Sequence, residues 1–129
     1  MNILIVDDDP AITQLITAEL TDEGFDVMTA TNGQEALARV AESLPDGIVL
    51  DLEMPVMDGR ACFRALRARG VTTPVLLLSA HGAVSAQHEL GADDAMNKPF
   101  DPEQLSAHVH ELVESQHAPP SERRPLRGR

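Results

Sequence analysis

Short apolar runs alternate with stretches of helical periodicity five times along the chain. Ile3–Val6, Ile48–Leu50 and Val75–Leu78 are continuous apolar runs, the pattern of strands covered on both faces of a parallel sheet. Phe25–Thr29 alternates with Asp26, which suits an edge strand over Val27–Thr29, and Ala95–Asn97 reads as a weaker fifth strand. The helices between them have recognisable ends. Asp9-Pro10 predicts an N-cap followed by proline at the first helical position, with Ile12, Leu15, Ile16 and Leu20 on one apolar face. Asn32 and Glu35 have capping-box spacing ahead of Leu37, Val40, Ala41 and Leu44. Asp58 opens a third helix that Gly70 closes, and Asp101-Pro102-Glu103-Gln104 opens the last, whose face is Leu105, Val109, Leu112 and Val113. This alternation with short connections predicts an α/β fold, a doubly wound sheet of five parallel strands with helices on both faces.

In such sheets a site lies at the carboxyl ends of the strands, where the strand order reverses. The polar groups obey that rule. Asp7, Asp8 and Asp9 follow the first strand, Asp51 the third, Ser79 the fourth and Lys98 the fifth, while the expected edge strand supplies none. If the first and third strands are neighbours, Asp7, Asp8 and Asp51 converge, flanked by Ser79 and Lys98. Three carboxylates in one cleft cannot all stay ionised without a counter-charge. An all-oxygen set suits Mg²⁺, which keeps several waters and favours phosphate oxygens. Lys98, the only lysine in the chain, can neutralise a phosphoryl oxygen, and Ser79 adds a hydroxyl donor. Asp51 is a carboxylate of the kind that forms acyl phosphates, and phosphoryl transfer asks mainly for positioning and charge neutralisation.

Composition narrows the field. At 129 residues and 43% apolar content the chain suits one domain with a buried core. The only aromatic residues are Phe25, Phe63 and Phe100, so there are few rings to stack on bases. Residues 1–116 hold 20 acids against six bases, which would repel a phosphate backbone and argues against a nucleic-acid partner. A lone Cys62 excludes a disulfide framework and a Cys-rich zinc site, and it reads as a small core residue. His81, His88, His108, His110 and His117 show no metal-ligand spacing. Asp9 and Asp58 read as helix caps, and Asp93 and Asp94 as loop acids. No apolar run has membrane-spanning length and no basic signal region precedes Ile3, so a cytoplasmic protein without a membrane partner is expected. Residues 117–129, with three prolines and four arginines, are expected to be a disordered tail on a domain at 1–116.

Five stretches carry a family resemblance: Ile5-Val6-Asp7-Asp8-Asp9-Pro10, Asp51-Leu52-Glu53-Met54-Pro55-Val56-Met57-Asp58-Gly59, Leu78-Ser79-Ala80, Gly91-Ala92-Asp93-Asp94 and Lys98-Pro99-Phe100. In this order and at these distances they resemble a response-regulator receiver domain of two-component signalling, of the stand-alone type, from Met1 to about Ser115. The resemblance implies the flavodoxin-like strand order 2-1-3-4-5. It also implies that Asp51 takes a phosphoryl group from a histidine kinase or phosphotransfer protein. By the same resemblance Asp8 and Asp51 ligate Mg²⁺ directly, Asp7 acts through a water, and the Glu53 backbone carbonyl completes the protein ligands. Ser79 and Lys98 would bind the phosphoryl oxygens, and Lys98–Pro99 is a candidate cis bond. Such a domain phosphorylates and dephosphorylates itself without being a turnover enzyme. With only about thirteen residues after the last helix, it is expected to signal to an unknown downstream protein by contact.

Two features depart from the family pattern. Ala95 stands where a Tyr, Phe or His is usual, three residues before the lysine. Ser79 and Lys98 are 19 residues apart, about three fewer than is common, which predicts a fourth helix about one turn shorter. Two other functions compete. A haloacid-dehalogenase-type phosphatase would use Asp7 and Asp9 as its Asp-x-Asp, with Ser79 and Lys98 in support, but the acidic pair it needs after the lysine would have to come from Asp101 and Glu103 at a helix start. A receiver-like binding module that works without phosphorylation would leave a carboxylate cluster buried to no purpose.

Overall fold

In a computed structural model of the chain, which describes residues 1–117, five strands and five helices alternate. They are β1 (Asn2–Val6), α1 (Pro10–Asp22), β2 (Asp26–Ala30), α2 (Gly33–Glu42), β3 (Gly47–Asp51), α3 (Gly59–Ala68), β4 (Val75–Ser79), α4 (Ala83–Leu90), β5 (Asp94–Asn97) and α5 (Pro102–His117). The expected tail lies outside the described residues except for His117, which belongs to α5. All neighbouring strands pair in parallel in the order β2-β1-β3-β4-β5, the flavodoxin-like order. Each strand is a residue or two longer than its apolar run. Asp51 and Ser79 are therefore the last residues of β3 and β4 and do not follow them.

Strand alternation splits the buried residues into two cores. Leu4, Val6, Ile48, Leu50, Val75 and Leu77 face α2, α3 and α4, while Ile3, Ile5, Val49, Leu76 and Leu78 face α1 and α5. The predicted caps form: the side chains of Asp9, Asn32 and Asp58 accept from the backbone N–H groups of Ala11, Glu35 and Ala61, each at 2.9 Å. Only half of the expected capping box is made, because Glu35 turns to accept from the Thr31 hydroxyl at 3.0 Å. Leu44, 63% exposed, does not extend the α2 face. The helix stops at Glu42 with Ser43 as its C-cap, and Pro45 disfavours helical backbone at the residue before it. Leu15 is also exposed, so the buried stripe of α1 narrows to Ile16 and Leu20, flanked by Ile12.

The fourth helix is short, at eight residues. Its amino end is capped from outside, where Asn97 Oδ1 at the end of β5 accepts from the Ala83 N–H at 3.0 Å. Of the two expected loop acids, Asp93 does lie in the connection before β5 and Asp94 does not. Asp94 is the buried first residue of β5, with its carboxylate 2.7 Å from His108 Nδ1 on α5. Asp93 accepts from the Val75 N–H at 2.8 Å and pairs with Arg67 at 3.2 Å, tying α3 to the start of β4. Among the described residues no helix is long and apolar enough to cross a membrane.

Candidate functional site

Register brings the chemistry to one end of the sheet. Val6 lies opposite Leu50, Asp51 opposite Leu78 and Ser79 opposite Asn97, so the residues at these carboxyl ends form one rim. Asp7 continues the ladder by donating its N–H to the Ala30 carbonyl at 3.1 Å, and its carboxylate is buried. Asp7 Oδ1 accepts from the Asp9 N–H at 2.9 Å. Lys98 Nζ bridges the two buried acids, 3.0 Å from Asp7 Oδ2 and 3.3 Å from Asp51 Oδ1. Asp51 Oδ1 also accepts from the Glu53 N–H at 3.2 Å. Carboxylate oxygens of Asp7, Asp8 and Asp51 lie within 4.8 Å of one another, with Asp8 exposed at the mouth. Lys98–Pro99 is cis, as the resemblance implied.

One ammonium cannot balance three carboxylates. Burial and then the Asp7 charge push the Asp51 carboxyl up to about 6, against the pull of Lys98 and the Glu53 N–H. Burial opposes the charge on Lys98, but Asp7 and Asp51 outweigh it and raise its pKa, so the ammonium persists at neutral pH. The cluster carries excess negative charge on oxygen donors alone, the chemistry that fits a hard divalent cation.

The loop after β3 is held tightly on the acceptor. A Cβ on Gly59 would lie 2.2 Å from the Asp51 carbonyl oxygen, so α3 can start against that backbone only with glycine there. Between them Val56 has φ 70°, a left-handed conformation rare for a β-branched residue.

Ser79 closes the other side of the rim, its hydroxyl 2.9 Å from Glu53 Oε2 and 2.7 Å from the His81 carbonyl oxygen. Glu53 Oε1 accepts from the Ala80 N–H at 2.9 Å. From sequence Glu53 and His81 flank the acceptor as residues that tune hydrolysis, but the contact of the Glu53 side chain with Ser79 and Ala80 is not legible there. The place of Glu53 two residues after Asp51, facing the same rim, was the available signal. Asp9 does not join the carboxylates: its side chain is spent on the α1 cap, so the phosphatase alternative lacks its second acid. Ala95 packs in the α4-side core with Ala83, Ala86 and Ala92. Cys62 is buried in that core, and burial pushes its thiol up to about 11. His108 pairs with Asp94 and His110 with Glu23, and among the described residues only Asp7, Asp8 and Asp51 form a group able to hold a metal.

The doubly wound sheet thus carries, at its carboxyl rim, three clustered aspartates of which two are bridged by one lysine. The response regulator receiver domain model matches residues 3–110, and the chain belongs to that family. Response regulator MprA of Mycobacterium leprae is 42% identical over 116 residues, covering 88% of this chain and 51% of that protein. Transcriptional regulatory protein PrrA of Mycobacterium tuberculosis is 44% identical over 114 residues, covering 86% and 49%. The chain thus spans about half the length of these relatives. Among solved structures, the Francisella response regulator 1452 receiver domain superposes with TM-score 0.83 at 33% identity, covering 89% of this chain and 98% of that one. Chemotaxis response regulator CheY4 of Vibrio cholerae gives TM-score 0.80 at 34% identity, covering 86% and 97%.

Proposed function

We propose that Asp51 is the phosphoacceptor of this receiver domain, taking its phosphoryl group from the phosphohistidine of a histidine kinase or phosphotransfer protein. The observation that carries this is the Lys98 ammonium bridging two buried carboxylates beside a third, with Ser79 at the facing strand end. In the transfer an Asp51 oxygen attacks phosphorus, the P–N bond of the donor breaks, and the imidazole leaves with the bonding electron pair. An acyl phosphate remains on Asp51. Lys98 holds the two acids in place beforehand and then neutralises a phosphoryl oxygen, while Ser79 donates its hydroxyl to another. Asp7, Asp8, Asp51 and the Glu53 backbone carbonyl are the residues that would hold Mg²⁺, which supplies charge neutralisation on the phosphoryl oxygens when bound. The signal then passes to a downstream protein by contact.

Acetyl phosphate with Mg²⁺ tests this reading. Intact mass is expected to show one added phosphoryl group in the wild type and none in Asp51→Asn. Sustained turnover of p-nitrophenyl phosphate would favour the phosphatase instead.

A further inference from the structure

Glu53 is the one charged side chain of the rim that the proposed phosphoryl transfer leaves unused, and it is not idle. Its two carboxylate oxygens accept from the Ser79 hydroxyl and from the Ala80 N–H, both at 2.9 Å. A carboxylate spanning two donors presents the same pair of acceptors as two oxygens of a phosphoryl group. One of the two donors is shared with a second acceptor. The Ser79 hydroxyl has one proton, and it lies within reach of both Glu53 Oε2 and the His81 carbonyl oxygen at 2.7 Å. Lys98, by contrast, pairs with Asp7 and Asp51.

We propose that the Glu53 carboxylate is a resident occupant of the phosphoryl seat, an internal anion that an incoming phosphoryl group must evict. This rests on Asp51 being the phosphoacceptor, and it names the residue that regulates that site. The geometry allows eviction at small penalty. Residue 53 is solvent-exposed, so its charge can swing into water without being desolvated on the way. Its backbone can stay put, because the Glu53 N–H is anchored on Asp51 Oδ1. The seat is therefore filled in the resting state and emptied by a rotation of one side chain. Eviction also changes the surface: a carboxylate leaves the Ser79–Ala80 segment, just ahead of α4, and becomes free in solvent. In a chain with Ala95 in place of a movable ring, this released charge is a signal a partner protein can read.

The test compares wild type, Glu53→Gln, Glu53→Ala, Ser79→Ala and the double variant Glu53→Ala/Ser79→Ala. Affinity for beryllofluoride with Mg²⁺ and the acetyl phosphate rate by intact mass are the readouts, with far-UV circular dichroism confirming each fold. Glu53→Ala is expected to bind beryllofluoride about five- to tenfold more tightly, the effect of freeing the Ala80 N–H and removing one of the two acceptors that compete for the Ser79 proton. Glu53→Gln, which keeps an acceptor oxygen, is expected to fall between. In the Ser79→Ala background the gain is expected to shrink to about twofold, because only the Ala80 N–H is then released. Without any phosphoryl mimic, the Ala80 amide of Glu53→Ala is expected to exchange its hydrogen faster than in wild type. An equal gain in both backgrounds would reduce Glu53 to simple charge repulsion and overturn the proposal, as would no gain at all in a wild type that does accept phosphate. A wild type that binds no beryllofluoride and gains no phosphoryl group would remove the Asp51 reading itself, and the proposal with it.

Discussion

Asp51 is a carboxylate kept where carboxylates are least comfortable, and its protonation makes that measurable. Its folded-state pKa is about 6 against an ordinary 3.8, so the folded chain holds the proton more tightly than the unfolded chain does. Stability from this residue is fully present below pH 3.8 and is lost as the pH rises through about 6. With divalent cations chelated, Asp51→Asn is expected to be more stable than wild type by about 1–2 kcal/mol at pH 7.5, a discounted value because Lys98 loses part of its partnership. That advantage is expected to vanish toward pH 4. Urea unfolding at the two pH values checks it, and a pH-independent gap would contradict the charge assignment. Val56 holds a second tension, with a β-branched side chain at φ 70° and 74% exposed, so that no packing compensates it. Val56→Gly is expected to raise stability by about 0.5–1 kcal/mol, relief of the left-handed conformation outweighing the added freedom of the unfolded chain. A fall in melting temperature would show that the conformation is not strained.

At the scale of elements, the response to phosphorylation is expected to stay close to α4. Ser79, whose hydroxyl rests on Glu53 and the His81 carbonyl here, would exchange a contact for the phosphoryl group, Ala95 offers no ring to carry a displacement outward, and α4 is a short helix pinned at its start by Asn97, next to Lys98. Hydrogen exchange with and without beryllofluoride is expected to change over residues 79–92 and little over 105–113. The opposite distribution would place the output on α5. The same scale shows what could be read before the structure was known. Asp9, Asn32 and Asp58 were legible as caps because each acts on a backbone N–H two or three residues away. The buried strands and the convergence of Asp7, Asp51, Ser79 and Lys98 followed from apolar runs and from the rule that sites gather at strand carboxyl ends. What escaped depends on partners distant in sequence. Asp94 reads as a loop acid until β5 pairs with β4 and His108 arrives from α5. The Glu53 side chain likewise finds its role only when β4 brings Ser79 alongside, 26 residues later. Leu44 was misplaced for a local reason, the proline that follows it.

For the molecule as a whole, the surplus of acids matters most at the rim. A cation that binds the folded rim and not the unfolded chain stabilises by mass action, by about 1.4 kcal/mol at ten times its dissociation constant. Saturating Mg²⁺ is expected to raise the wild-type melting temperature by about 4–8 °C, with a much smaller shift in Asp8→Ala. Equal shifts in the two proteins would move the cation off the Asp7–Asp8–Asp51 cluster.

The burial of Cys62 has a practical side. A thiol that is fully enclosed, and whose ionisation needs a pH near 11, is nearly inert to alkylating dyes while the chain is folded. The chain therefore behaves toward thiol chemistry as if it contained no cysteine. An introduced one can be labelled alone without first removing the native residue. Thr72 is a suitable host, since it is exposed in the connection before β4, at the opposite end of that strand from Ser79. A maleimide fluorophore on Thr72→Cys is expected to react once per folded chain and twice in denaturant. The native protein is expected to take up none. Attached there, the dye would follow the domain from the end of the sheet opposite the Asp7–Asp51 rim.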